Sequence, residues 1–270
     1  MADRLGVLPA YWALLRGQAR SQVSYRTSFL VDLVGNVGAT VFDVATVLVL
    51  FRLTRTLGGF PRAEAMVMVG LSAAAFATAD LAVGNIERLR QYVRTGLLDA
   101  VLVRPLGALP QLLLMDLPLR KASRALFGVA VLVAAVLTAG IDWTPARVGL
   151  VVLAPVCGVV FFASIFVTTA ALSFWWIDSG EVGSAFTYGG RDFTTYPVTV
   201  YSGWFRAVFA YVLGFGFVAY YPALALLGRA DPLGLPVWAG WAAPAVALPA
   251  VLVAALAWRV GVRHYRSTGS

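Results

Sequence analysis

Asp32, Asn36, Asp43 and Asp80 are the residues whose types and spacing suggest chemistry, because each interrupts a stretch that is otherwise almost wholly apolar. At about 100° per residue the first three fall within ~40° of one another on a helical wheel, forming one narrow polar stripe. Carboxylates in such surroundings either pair with cations or serve a proton, cation or substrate pathway. Both readings stand on the sequence. One is structural, with pairing to arginines such as Arg26 or Arg206, or capping of helix starts. The other gives the carboxylates a pathway role.

Other chemical tools are missing. Lys121 is the one lysine and follows Arg120, so the phosphate-cradling pattern G-x-x-x-x-G-K-[ST] is absent, as is the G-x-S-x-G nucleophile elbow. His264, the sole histidine, lies in the basic tail Arg263-His264-Tyr265-Arg266, which leaves no partner for a histidine-activated nucleophile or an HExxH metal site. Cys157, the sole cysteine, excludes an intrachain disulfide or a cysteine-built metal site and reads as packing. No catalytic residue, metal or cofactor is therefore expected on this chain.

The elements that carry the carboxylates follow from composition. The chain has 270 residues, 60% hydrophobic and 13% charged, with a mean hydropathy of +0.81. A soluble domain runs nearer ~25% charged, and this much apolar surface exceeds what one soluble core hides. The solvent is lipid, and each helical crossing takes ~20 apolar residues. Runs between successive charges place six spans at about 29–51, 63–86, 122–140, 146–173, 204–227 and 242–260, in an all-α membrane protein treated as a single transmembrane domain over 1–270. A cytoplasmic N-terminus puts 16 of the 21 basic residues on the inside, so both termini are expected in the cytoplasm. In so apolar a chain the net charge of +8 reads as topology signal and not as a nucleic-acid surface. The arginines spread through residues 1–28 do not form a cleavable signal peptide.

Three pieces outside the spans have character. Residues 8–25 gather Leu8, Tyr11, Trp12, Leu15, Ala19 and Val23 on one side of a wheel, as suits an interfacial amphipathic helix contacting membrane lipid. Residues 87–105 read as a helix ended by Gly96, then a short helix stopped by Pro105, with Leu98 and Leu102 as an exposed apolar docking edge. Residues 229–241, rich in Pro, Gly and Trp, are expected to dip into the outer leaflet as broken helices, which requires protein or water around them.

Taken together, these features resemble the permease subunit of a bacterial type-2 ABC transporter. The resemblance is carried by Gly96-x-Leu98-Asp99-x-x-Leu102-x-Arg104-Pro105-Leu106 after the second span, Asp192-Phe193-Thr194-Thr195-Tyr196-Pro197, Tyr220-Tyr221-Pro222-Ala223 and the closing Gly261 to Ser270. It implies that two permeases, identical or related, pair in the bacterial plasma membrane. Each docks a separate cytoplasmic ATPase that binds ATP and Mg. Gly96, Leu98, Asp99, Leu102, Arg104 and Pro105 would form the coupling element, and residues 174–203 a second cytoplasmic contact. Implied too is ATP-driven export; Trp and Phe residues around the fourth to sixth spans would suit an apolar or amphipathic cargo, while aromatic belts at the membrane interface explain Trp175, Trp176, Trp238 and Trp241 at least as well. The first span is more acidic than the resemblance leads one to expect. Two readings from other classes stand beside it: a secondary transporter or channel using Asp32, Asp43 and Asp80, and a lipid-modifying enzyme, which the missing nucleophile disfavours.

Overall fold

A computed structural model describes residues 26–105, 107–115 and 121–265. The helix expected over 8–25 and the motif residue Leu106 lie outside the described residues. In chain order the α-helices are α1 (Arg26–Leu53), α2 (Arg62–Val83), α3 (Leu89–Arg94), α4 (Leu97–Leu102), α5 (Ala108–Met115), α6 (Ala122–Thr138), α7 (Pro145–Ala171), α8 (Gly180–Thr195), α9 (Gly203–Arg206), α10 (Tyr220–Leu227) and α11 (Ala243–His264). Among the described residues the sole extended pairing is an isolated bridge, Leu57 to Phe60. Three continuous helical runs are long and apolar enough to cross a membrane: Arg62–Arg94, Pro145–Phe174 and Ala243–His264.

The bundle is built around α2. Small residues let its neighbours approach to backbone contact, the packing that serves where lipid supplies no hydrophobic drive between helices. A Cβ on Gly70 of α2 would lie 2.6 Å from Cα of Leu132 in α6, and one on Gly128 of α6 would lie 2.8 Å from the Ala73 carbonyl. On the α7 side, a Cβ on Gly158 would meet the Ala75 methyl at 2.7 Å. Between α7, α8 and α2 the interior is aromatic: Phe76 meets Phe162 edge-on at 5.1 Å, and Phe161 meets Phe215 edge-on at 5.2 Å.

Contacts sort the chain into two ends. At one, α3 lies against residues 172–179, and the last turns of α11 join them, with His264 stacked on Trp175. At the other, the turn Leu57–Phe60 meets the segments on either side of α9 and α10. Gly58 and Gly59 both have positive φ, which a two-residue type I′ reversal demands. Thr199 donates to the Gly58 carbonyl at 2.7 Å, and Arg229 donates to the Gly59 carbonyl at 2.7 Å. Arg229 also pairs with Glu64 and lies 4.2 Å from the Phe60 ring centroid.

That meeting bears on the expected fifth span, 204–227, which is bent and not one straight helix. α9 continues as a π-helical stretch over Ala207–Val212, and the chain bends by 61° before Phe215–Leu227 returns. The two flanks of this bent pair sit on adjacent carbonyls of one turn, whereas the ends of a crossing stand ~30 Å apart. The pair is a bent hairpin, and its tip walls an apolar cavity of about 430 Å³ with residues of α7, α8 and α11.

The element that does run end to end is α8. It starts beside Arg90 and Arg94, passes Thr169 and Ser72, and continues through Pro197 to the Gly58 turn. Of the segment 174–203, expected as a second cytoplasmic contact, residues 178–181 lie beside Arg90 and Arg94 and the rest leads away toward the Gly58 turn. Hydropathy hides α8, since Thr187, Thr194, Arg191 and Asp192 interrupt its apolar residues. Its polar groups are met inside the protein instead: Thr194 by Ser72 at 2.6 Å and Thr187 by Thr169 at 3.3 Å. Short broken helices are expected within the loop 229–241. That loop holds a short 3-10 turn, Val237–Trp241, and Asp231 organises it by accepting from Tyr220 Oη at 2.8 Å and from the Leu233 and Leu235 amides.

Candidate coupling site

Below α2 a 3-10 turn, Gly84–Arg88, leads into α3, and α3 is joined to α4 by Thr95 and Gly96. Gly96 has φ +73, the left-handed conformation that ends a helix and costs glycine least. The Gly96 amide donates to Val93, the Asp99 amide donates back to Gly96, and the Thr95 hydroxyl caps Gln91 at 2.8 Å. The result is a compact helical hairpin. Leu89 and Val93 on one limb and Leu98 and Val101 on the other are buried, anchoring it to the bundle.

Burial of Leu98 overturns its expected place on the exposed edge. The reversal at Gly96 turns the 98/101 face of α4 inward, at helical spacing, and leaves the neighbouring positions outside. The exposed apolar edge consists of Leu97, Leu102 and Val103, the last 85% exposed. Arg104 and Pro105 are exposed beyond it. Asp99 lies beside Tyr265 at the end of α11, where burial first and the Asp99 carboxylate second push the tyrosine's ionisation upward.

The hairpin is tied to α8 at the surface and to α2 and α6 inside. Arg94 pairs with Asp178 at 2.7 Å, and Arg90 with Glu181 at 3.7 Å. Such exposed pairs contribute at most ~1 kcal/mol each but fix orientation. Arg90 also lies against Gly180, where a Cβ would strike its guanidinium. Between Arg88, Arg90, Ser173, Gly183 and Ser184 is a cavity of about 230 Å³.

Deeper, Asp80 is 2% exposed and pairs with Lys121 at 2.6 Å, with Arg124 at 3.8 Å. Gly84 packs directly on the Asp80 carboxylate, with no room for a Cβ. Next to this pair, Tyr188 of α8 donates to Glu87 at 3.4 Å. The guanidiniums of Arg124 and Arg191 lie 5.6 and 5.5 Å from the Phe76 ring centroid. One buried cluster thus joins the foot of α2, the start of α6, α8 and the first turn of the helical hairpin. Breaking a buried pair by removing one partner costs about 3–5 kcal/mol, because the other charge stays buried.

Of the sequence-derived candidates, the structure gathers Gly96, Leu98, Asp99, Leu102, Arg104 and Pro105 into one element. Asp80 stands at its root, paired with Lys121 and Arg124 in place of Arg26 or Arg206; Arg206 donates to the Tyr201 carbonyl. Asp32, Asn36 and Asp43 lie on α1, and their side chains are outside the described residues. Lys121, Glu87, Tyr188 and Arg191 were missed as members of the cluster. Lys121 carried a signal, being a lone lysine in an arginine-rich chain at the start of an apolar run.

The chain was compared with known families and proteins. No curated protein and no solved structure matches it. The profile described as ABC-2 family transporter protein matches residues 37–269, which include α2 through α11 and most of α1. The chain therefore belongs to the ABC-2 transporter family, as a multi-pass membrane permease, in general a non-catalytic subunit that works with an ABC ATPase.

Proposed function

We propose that this chain is the permease of a bacterial plasma-membrane exporter. The reading assigns crossings to α1, α2, α6, α7, α8 and α11, both termini to the cytoplasm and the α3–α4 end to the cytoplasmic face. The basic residues concentrated at that end support the orientation. A second permease, identical or related, pairs with it, and each docks a separate ATPase that binds ATP and Mg.

The observation that carries the reading is the α3–α4 hairpin. It presents Leu97, Leu102 and Val103 outward while its root is fastened to three long helices through Asp80, Lys121, Glu87 and Tyr188. A push on the apolar edge is thereby delivered to α2, α6 and α8 together. Motion of α8 shifts the bent hairpin packed on it through Phe193, Phe209 and Phe215. Aromatic walls there suit an apolar or amphipathic cargo moving outward. Asp80 is already neutralised by Lys121, which favours a structural over a proton-carrying role for it.

The test is association. Leu102→Glu should leave the permease folded and reduce co-purified ATPase roughly thirtyfold, the ~2 kcal/mol of an interface anchor. Undiminished co-purification in Leu102→Glu and in Val103→Glu would remove the hairpin from the ATPase interface.

A further inference from the structure

The second large concavity of the bundle lies away from the bent hairpin. It is a groove of about 390 Å³ between the foot of α2, α5, α7 and α11, walled by Val83, Leu109, Leu113, Val160, Val251 and Trp258 among others. Its lining is apolar apart from Ser164 and Arg259. The Ser164 hydroxyl is already engaged with the Val160 carbonyl at 2.7 Å. Arg259 is exposed at the groove, one turn before α11 ends, and no carboxylate pairs with it among the described residues.

We propose that this groove binds one anionic phospholipid, with an acyl chain along the Val83, Leu113 and Val160 wall and the phosphate on Arg259. The occupant follows from charge and polarity. A hydrocarbon chain matches walls that offer no unengaged polar group. An anionic head matches a guanidinium standing at the level where the chain leaves the bilayer, since arginine pairs well with phosphate and extends its stem over apolar surface. A zwitterionic head brings its own cation and gains less. The leaflet on the α3–α4 side, read as cytoplasmic, is the one that carries anionic lipid.

The position gives the lipid a mechanical task. α5 follows α4 in the chain, and Gln111 of α5 donates to the Val101 carbonyl of α4 at 3.3 Å. A chain wedged behind Leu109 and Leu113 braces α5 and, through that bond, holds the inner side of the α3–α4 hairpin. The inference rests on membrane insertion, which the family shows, and on the cytoplasmic reading of the α3–α4 end, and not on ATPase docking. Lipid counts and ATPase co-purification therefore fail independently.

Native mass spectrometry of the full chain, released from nanodiscs holding equal phosphatidylglycerol and phosphatidylcholine, tests it. Wild type should retain one lipid with about a fivefold preference for phosphatidylglycerol, the effect of one arginine at the headgroup. Arg259→Gln should lose the preference and Arg259→Lys keep it. Ala255→Trp, which fills the groove, should retain neither lipid. Equal retention of the two lipids by wild type would overturn the proposal, as would an unchanged preference in Arg259→Gln or unchanged retention in Ala255→Trp. Added inorganic phosphate should not displace the lipid; displacement by phosphate alone would reassign Arg259 to a free anion.

Discussion

Thr199 and Arg229 donate to consecutive backbone carbonyls, those of Gly58 and Gly59, although thirty positions of sequence separate them. Everything between them must leave that turn and come back to it. Residues 203–227 are therefore a bent hairpin whose two flanks share one turn, and α8 is the neighbouring element that runs past it. The returning limb of the hairpin is buried, with Tyr221 against Gly240, while on the first limb Phe205 packs on Phe193 and Trp204 and Val212 stay exposed.

Labelling decides that topology directly. In a Cys157→Ser background, cysteines placed at Arg55 and at Val200, both exposed, should react with a membrane-impermeant maleimide from the outer side. A cysteine at Arg94 should react from the inner side. Reaction of position 200 from the inside would make 204–227 a crossing.

Leu98 and Leu102 stand four residues apart and should behave in opposite ways. Leu98 is fully buried and Leu102 is 37% exposed. Leu98→Ala should lower the thermal stability of the purified permease, with a loss of about 2–5 kcal/mol from the emptied space. Leu102→Ala should leave stability within ~0.5 kcal/mol, as surface substitutions do. Equal destabilisation by the two would mean that α4 is turned the other way.

Asp80 and Lys121 should show strong coupling in a double-mutant cycle. Each single change, Asp80→Asn or Lys121→Met, leaves one charge buried and should destabilise by about 3–5 kcal/mol. The double variant should recover most of that loss, yet transport less per ATP hydrolysed, because the tie between α2 and α6 is gone. Additive losses would show the pair to be independent charges.

Gly128 tests the close approach of α6 to α2. Gly128→Val drives side-chain atoms into the Ala73 carbonyl and the Ala74 amide, and should cost about 1–3 kcal/mol, read as a lowered unfolding midpoint. Gly149→Val, where a Cβ meets nothing within 4 Å, serves as the control and should be near neutral.

Apolar content and the spacing of charges determined that the chain lives in lipid, because about 160 hydrophobic residues have nowhere else to go. They also located α2, α7 and α11, whose long uncharged runs are self-sufficient in a membrane. The turn at Gly96 was equally legible, being a matter of local backbone conformation. What stayed hidden was everything that depends on which neighbour a residue meets. α8 reads as a polar connector until Ser72, Thr169 and Glu87 are seen to satisfy it, and 204–227 reads as one straight span until its two flanks are found on one turn. The inward face of α4 and the choice of Lys121 as partner for Asp80 were likewise decided by tertiary packing. A residue's own hydropathy reports its cost in lipid, whereas its place is set by whether another part of the chain removes that cost.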